Sequence, residues 1–156
     1  MTGNEQKGLA DIVEALSEYT SRFRRQELQA LEPISGLYAL FPDVEMAPEV
    51  TWRWSESTPW PHGDRAGVYF VFGTGVRLLY IGKASMGAKI GNRLSHWFQY
   101  ERPGRSCRVV HAGWREQPRF VAALPVSDDM TWEAPALEEF LIQRLSPPDN
   151  SNGCFR

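Results

Sequence analysis

Apolar positions near the start of the chain recur at three- and four-residue steps. Leu9, Ile12, Val13, Leu16 and Phe23 fall on one stripe, so the spacing predicts a helix over residues 4–31, closed by Pro33. That period is lost over residues 33–65. Pro33, Pro42, Pro48, Pro59 and Pro61 prevent long regular elements, and Trp52-Arg53-Trp54 alternates like a short strand. Tryptophans here either anchor an irregular segment to the core or stack on bases. From residue 66 the pattern sharpens. Residues 66–72 (AGVYFVF) and 76–81 (VRLLYI) read as strands joined into a hairpin by the turn Gly73-Thr74-Gly75. Residues 88–100 read as a helix with Ile90, Leu94, Trp97 and Phe98 facing inward. Residues 106–112 and 119–126 are further strands. Asp128 or Asp129 would cap a last helix that has Pro135 in its first turn and an apolar face of Leu137, Phe140, Leu141 and Leu145. Pro147-Pro148 stops it.

Strands and helices mix without regular alternation, so the expected class is α+β. The expected architecture is a small, mostly antiparallel central sheet, the hairpin plus a third strand, flanked by helices and preceded by an N-terminal helical extension. Residues 1–65 would form that helical and Pro/Trp-rich extension, and residues 66–156 the functional domain.

The chain's 156 residues, 42% apolar and 23% charged, suit one domain with its own core and an arm. No apolar run approaches the roughly 20 residues needed to cross a bilayer. Residues 1–7 are polar and lack the order of a secretion signal, so a cytoplasmic setting without membrane contact is expected. Cys107 and Cys154 form no CxxC pair, which leaves a zinc ribbon or redox motif unsupported and favours reduced thiols over a disulfide. Net charge is −2, but it is unevenly spread. Residues 1–60 carry a net −5, residues 77–119 a net +7, and residues 120–156 a net −4. The basic segment holds Arg77, Lys83, Lys89, Arg93, Arg102, Arg105, Arg108, Arg115 and Arg119. Such a stripe attracts a polyphosphate backbone; the plain alternative is a solvated face paired with the acidic ends.

Within that frame one set of residues carries chemistry. Gly67-Val68-Tyr69 lies in one strand and Tyr80-Ile81-Gly82 in its partner, followed at once by Lys83. Arg93 sits in the next helix, Glu138 and Glu139 in the last, and Asn150 stands twelve residues after Glu138. The set resembles the GIY-YIG nuclease family over residues 66–152. The resemblance implies an endonuclease that hydrolyses phosphodiester bonds of nucleic acid, DNA more than RNA, with Mg2+ or Mn2+. It selects Glu138 over Glu139 as the metal-holding carboxylate. It places Tyr80 near the attacking water as general base or its orienter, with Tyr69 beside it, and Arg93 at the scissile phosphate. Lys83 either supplies the charge that helps the phenol ionise or contacts phosphate. Asn150 fixes the C-terminal segment or orients the site, or is simply a turn residue. Lys83, Lys89, Arg93, Arg102 and Arg105 would bind nucleic acid.

The chemistry gives this set independent sense. Phosphodiester cleavage needs an activated water, a cation on the phosphate oxygens and help for the leaving oxygen. A carboxylate can hold one hard divalent ion whose remaining shell is water and phosphate, and that ion offsets developing charge. A guanidinium offers a planar fork of donors and stays charged.

The chain also departs from the family. Many relatives carry His or Tyr one turn after the arginine; Trp97 stands there and cannot take a proton. His96 is expected to point about 100° away from it around the helix. The stretch from Tyr80 to Arg93, with Gly82, Gly87 and Gly91, looks like a loop insertion. His62 and His111 have no partner at a metal-ligand spacing and read as structural. Two other functions fit: a nucleic-acid-binding module of the same fold without strong catalysis, and an interaction protein that docks through its acidic arm. No separate DNA-reading module is visible, so a homodimer or a protein partner is expected.

Overall fold

The apolar runs form the hairpin where their β-branched and aromatic content predicts it. In the computed structural model, which describes residues 7–41, 50–52, 59–100 and 107–151, β3 (Gly67–Phe72) pairs antiparallel with β4 (Leu78–Ala84). The 3-10 turn Thr74–Val76 joins them, with Gly75 and Val76 at φ of 65° and 58°. β7 (Phe120–Pro125) pairs antiparallel with the other side of β3, so the third strand of the expected sheet is present. β1 (Tyr38–Ala39) adds antiparallel to β7, and β2 (Thr51–Trp52) adds parallel to β1. The order is β2-β1-β7-β3-β4, which leaves β4 at an edge. The fold is mixed α+β, as the pattern predicts.

Every residue of β3 and of β7 is buried, because both faces of the sheet are covered. This is why their sequences read as continuous apolar runs rather than alternations. Val68, Phe70 and Phe72 pack with α1 (Leu9–Glu18) and α3 (Glu133–Leu145) through Ile12, Ala15, Leu137 and Leu141. Tyr69 and Val71 face the other layer, with α2 (Ile90–Trp97) and the small sheet of β5 (Phe98–Tyr100) and β6 (Cys107–Val109). Trp60 is anchored in this second layer: its Nε1 donates to Ser95 Oγ at 3.0 Å, and its ring meets Phe98 and Tyr100. Cys107 is buried in β6. The pairing slips between Val71 and Phe72, where Val71 faces Tyr80 but Phe72 faces Leu78. Leu79 is the extra residue of that bulge, and it sets the face on which Tyr80 emerges.

Four expectations shift. The first helix is shorter than 4–31: α1 gives way to a π turn, Tyr19–Phe23, and the backbone is extended at Arg24. Arg24 turns inward there and pairs with Glu133. Val13 and Phe23 leave the apolar stripe and are 52% and 60% exposed. The second helix stops at Trp97, because Phe98–Tyr100 pairs with β6. Asp128 and Asp129 occupy a separate 3-10 turn, Asp128–Met130, and α3 starts at Glu133 without a side-chain cap. α3 does keep Pro135 in its first turn, and it ends at Ser146 in the left-handed conformation, φ 49°, just before Pro147.

The segment ahead of residue 66 contributes Ile12, Ala15 and Ala39 to the same core as β3 and β7. Among the described residues no helix is long and apolar enough to cross a membrane. Arg53, Trp54 and Cys154 lie outside the described residues.

Candidate active site

Tyr80 and Lys83 lie three positions apart on a regularly paired stretch of β4, so they leave it on opposite faces. At an interior strand a sheet would separate them. At the open edge both reach one cleft of about 360 Å³, lined by Tyr69, Tyr80, Lys83, Arg93, His96, Trp97, His111 and Glu138. Five residues singled out in the sequence therefore meet: Tyr69 from β3, Tyr80 and Lys83 from β4, Arg93 from α2 and Glu138 from α3. Arg93 and Trp97 share a helix face because they are one turn apart.

Gly82 builds the floor of this cleft. It lies opposite Tyr69 in the hairpin, and a Cβ at position 82 would overlap the Tyr69 ring. The glycine of the second motif is thus a space left for the tyrosine of the first. Gly67 serves a related purpose, since a Cβ there would overlap the Leu124 carbonyl of β7. Gly82→Ala is expected to displace Tyr69 and destabilise the fold by about 1–3 kcal/mol, the usual cost of overpacking. Urea denaturation measures the loss. In a Tyr69→Ala background the same substitution should cost much less, because the ring it collides with is gone.

The aromatic groups are ordered by contacts. Trp97 Nε1 donates to Tyr69 Oη at 3.0 Å. The Tyr69 and Tyr80 rings stand 6.2 Å apart between centroids. Tyr80 meets Trp97 at 5.6 Å and Trp114 at 5.8 Å, both edge-on. Burial raises the Tyr80 pKa, and the Glu138 carboxylate raises it further; the neighbouring Tyr69 hydroxyl and the Arg93 charge work the other way. Burial pushes Tyr69 up as well, so its phenol keeps its proton. Glu138 is half-buried, and that burial raises its pKa, opposed first by the charge of Lys83. Among the described residues no hydrogen bond or ion pair engages the Glu138 carboxylate.

Asn150 does not line the cleft. Its Oδ1 accepts from Ile81 N at 2.8 Å and its Nδ2 donates to Ile81 O at 2.9 Å. This fastens the short helix α4 (Pro148–Ser151) to the backbone of β4, one residue from Tyr80. The neighbouring Asp149 went unnoticed in the sequence. It is 2% exposed, and its Oδ1 accepts from Arg115 N at 3.4 Å, so one dipeptide ties both β4 and the β6–β7 connection. Burial raises the Asp149 pKa.

The basic stripe is partly consumed inside the protein. Arg77 pairs with Glu116 at 2.9 Å, and Arg119 lies over the Phe41 ring at 5.8 Å. Lys89 is exposed just before α2 and does not line the cleft. Arg102 and Arg105 lie outside the described residues.

Two histidines differ from their reading in the sequence. His96 lines the cleft, because the cleft is wide enough to span the faces of both residue 96 and Trp97. His111, read as structural, is exposed and lines it too, with its ring 4.8 Å from Trp97. No sequence spacing could reveal this, since the β6–β7 connection brings His111 back across α2. A larger cavity of about 580 Å³ surrounds Arg24, Glu32, Arg65 and Glu133, but these groups pair with one another: Arg24 with Glu133, and Arg65 with Glu32.

Compared with family models, curated proteins and solved structures, the chain matches none.

Proposed function

We propose that this chain is a divalent-metal-dependent endonuclease of the GIY-YIG type that hydrolyses phosphodiester bonds in nucleic acid, with DNA as the first substrate to test. The observation that carries this reading is the meeting of Tyr69, Tyr80, Lys83, Arg93 and Glu138, drawn from four elements, in one cleft at the sheet edge.

Arg93 and Lys83 supply fixed positive charge for a bound phosphate. Arg93 is exposed, so it meets the substrate from solvent, and its planar donors fit two phosphate oxygens. Tyr80 receives the hydrogen bond of the attacking water and orients it, the phenol passing its own proton to solvent as it takes the water's. The Tyr69 hydroxyl keeps the Tyr80 oxygen oriented for that task, and Trp97 keeps Tyr69 in place.

Glu138 would hold the Mg2+ or Mn2+. Its unengaged, half-buried carboxylate suits a hard cation, and no cluster of three His, Cys, Asp or Glu side chains stands among the described residues. A single carboxylate fits an ion that retains most of its water. When bound, the cation offsets charge on the phosphate and the leaving oxygen. Glu139 is exposed and outside the cleft lining, so the site uses Glu138.

The polar residues 1–7 and the lack of a CxxC pair suit a cytoplasmic setting. A single such cleft cuts one strand at a time, so paired cuts would use a second copy or a protein partner.

The test is cleavage of supercoiled plasmid with Mg2+ or Mn2+, with and without EDTA. Cleavage that needs the metal is the expected result. The second reading, a binding module of this fold, is favoured by Trp97, which brings no titratable group to its position. Salt-sensitive DNA binding without cleavage in Mn2+ would select it. Neither binding nor cleavage would remove both.

A further inference from the structure

We propose that His111, on the β6–β7 connection, is the general acid that protonates the leaving oxygen in the reaction proposed above, and this inference rests on that reading.

The leaving ester oxygen needs a proton as its bond to phosphorus breaks, and few groups in the cleft are left to give one. Trp97 has no proton to transfer. The Tyr69 hydroxyl is held by Trp97 and buried, and Tyr80 is assigned to the attacking water in the reading above. Arg93 does not deprotonate, and Lys83 serves as a charge beside Glu138. Among the described lining residues His96 and His111 remain, and imidazole is the side chain suited to proton transfer near neutral pH.

His111 is the better placed of the two. Its ring stands edge-on to Trp97 at 4.8 Å, and Trp97 is itself fixed by the hydrogen bond to Tyr69. Its connection is anchored a few residues on. Trp114 packs against Trp97 at 5.3 Å and Tyr80 at 5.8 Å, and Arg115 N is held by buried Asp149. His96 lines the cleft from an exposed helix position with no such ring contact among the described residues. Trp97 brings no proton-transferring group to the cleft, and an imidazole from another element stands against it.

The step balances. The water oxygen forms its bond to phosphorus while the bond from phosphorus to the ester oxygen breaks. The electron pair stays on the ester oxygen, which takes the His111 proton and leaves as a hydroxyl. The water's proton departs through Tyr80 to solvent, and a solvent proton restores the imidazolium.

The experiment compares two forms of one DNA duplex, cut by the full chain in Mn2+ at the site mapped with the wild type. In one the leaving atom is oxygen; in the other it is a bridging sulfur, which departs as thiolate without a proton. His111→Gln is expected to be about 10²–10³-fold slower on the oxygen ester and within about threefold of wild type on the sulfur ester. His111→Asn should behave alike, and His96→Gln should slow both esters little. Equal slowing of both esters by His111→Gln would reveal a packing role and overturn the proposal. So would unchanged cleavage of the oxygen ester, or the sulfur-rescued pattern appearing in His96→Gln instead; in each case the nuclease reading stands. No cleavage of either ester by wild type would instead sink the nuclease reading and this inference with it.

Discussion

Glu138→Gln is expected to slow plasmid cleavage by at least about 10³-fold, some 4 kcal/mol in activation free energy, without weakening the fold. The amide keeps the shape of the side chain and loses the charge that would bind the cation. Two readouts separate this from general damage. Burial of the carboxylate raises its pKa, so its charged form is disfavoured in the folded state, and neutralising it should hold or increase the denaturation midpoint at pH 7. The Glu138 charge also raises the Tyr80 pKa, so the variant's phenol should ionise at lower pH, followed by its ultraviolet absorbance. Tyr80 would then be more readily ionised while cleavage falls, which separates loss of the Glu138 charge from damage to Tyr80. Full activity in Glu138→Ala or Glu138→Gln would end the assignment. The sign of the pKa shift also fixes a pH dependence. A raised carboxyl pKa lets protons compete with the cation at higher pH than for an ordinary glutamate. Mn2+ affinity measured by calorimetry should therefore begin to fall above the usual carboxylate range, about tenfold per pH unit once below that pKa.

Arg24→Ala is expected to cost about 3–5 kcal/mol of stability, which for a domain of this size can be a large part of the total. Arg24 Nε donates to Glu133 Oε1 at 2.7 Å and Nη2 to Oε2 at 3.3 Å, with the two side chains 6% and 2% exposed. Removing the guanidinium strands a buried carboxylate. Removing both charges does not, so Arg24→Met with Glu133→Leu should recover most of the loss. Urea denaturation of the two single variants and the double variant closes the cycle. Additive single losses would mean that the pair is not coupled. Glu133 opens α3, the helix that carries Glu138, so Arg24→Ala should also lower the temperature at which cleavage fails.

The hairpin was legible because its pattern is local: residues 66–72 and 76–81 are apolar and β-branched enough to be strands in almost any setting. Helix ends were not, since distant partners decide them. Phe98 and Tyr100 continue the apolar spacing of α2, yet β6 draws them into a strand. Arg24 resembles a solvated helix end until Glu133, 109 positions away, takes it inside. In the cleft, Tyr69, Tyr80, Lys83, Arg93 and Glu138 could be nominated from order and residue type. His111 could not, because its relation to Trp97 exists only after the chain has reversed across α2. Asp149 was equally silent: a carboxylate that holds one backbone amide leaves no periodic or motif trace.

A strand on the rim of a sheet offers bare amides and carbonyls to any extended peptide that drifts past. At Ile81 that invitation is withdrawn by one side-chain amide, which occupies donor and acceptor together as a neighbouring strand would. Asn150 therefore guards against self-association as well as holding Tyr80's strand in register. An aspartate in its place could accept but not donate, leaving the Ile81 carbonyl open to a passing chain.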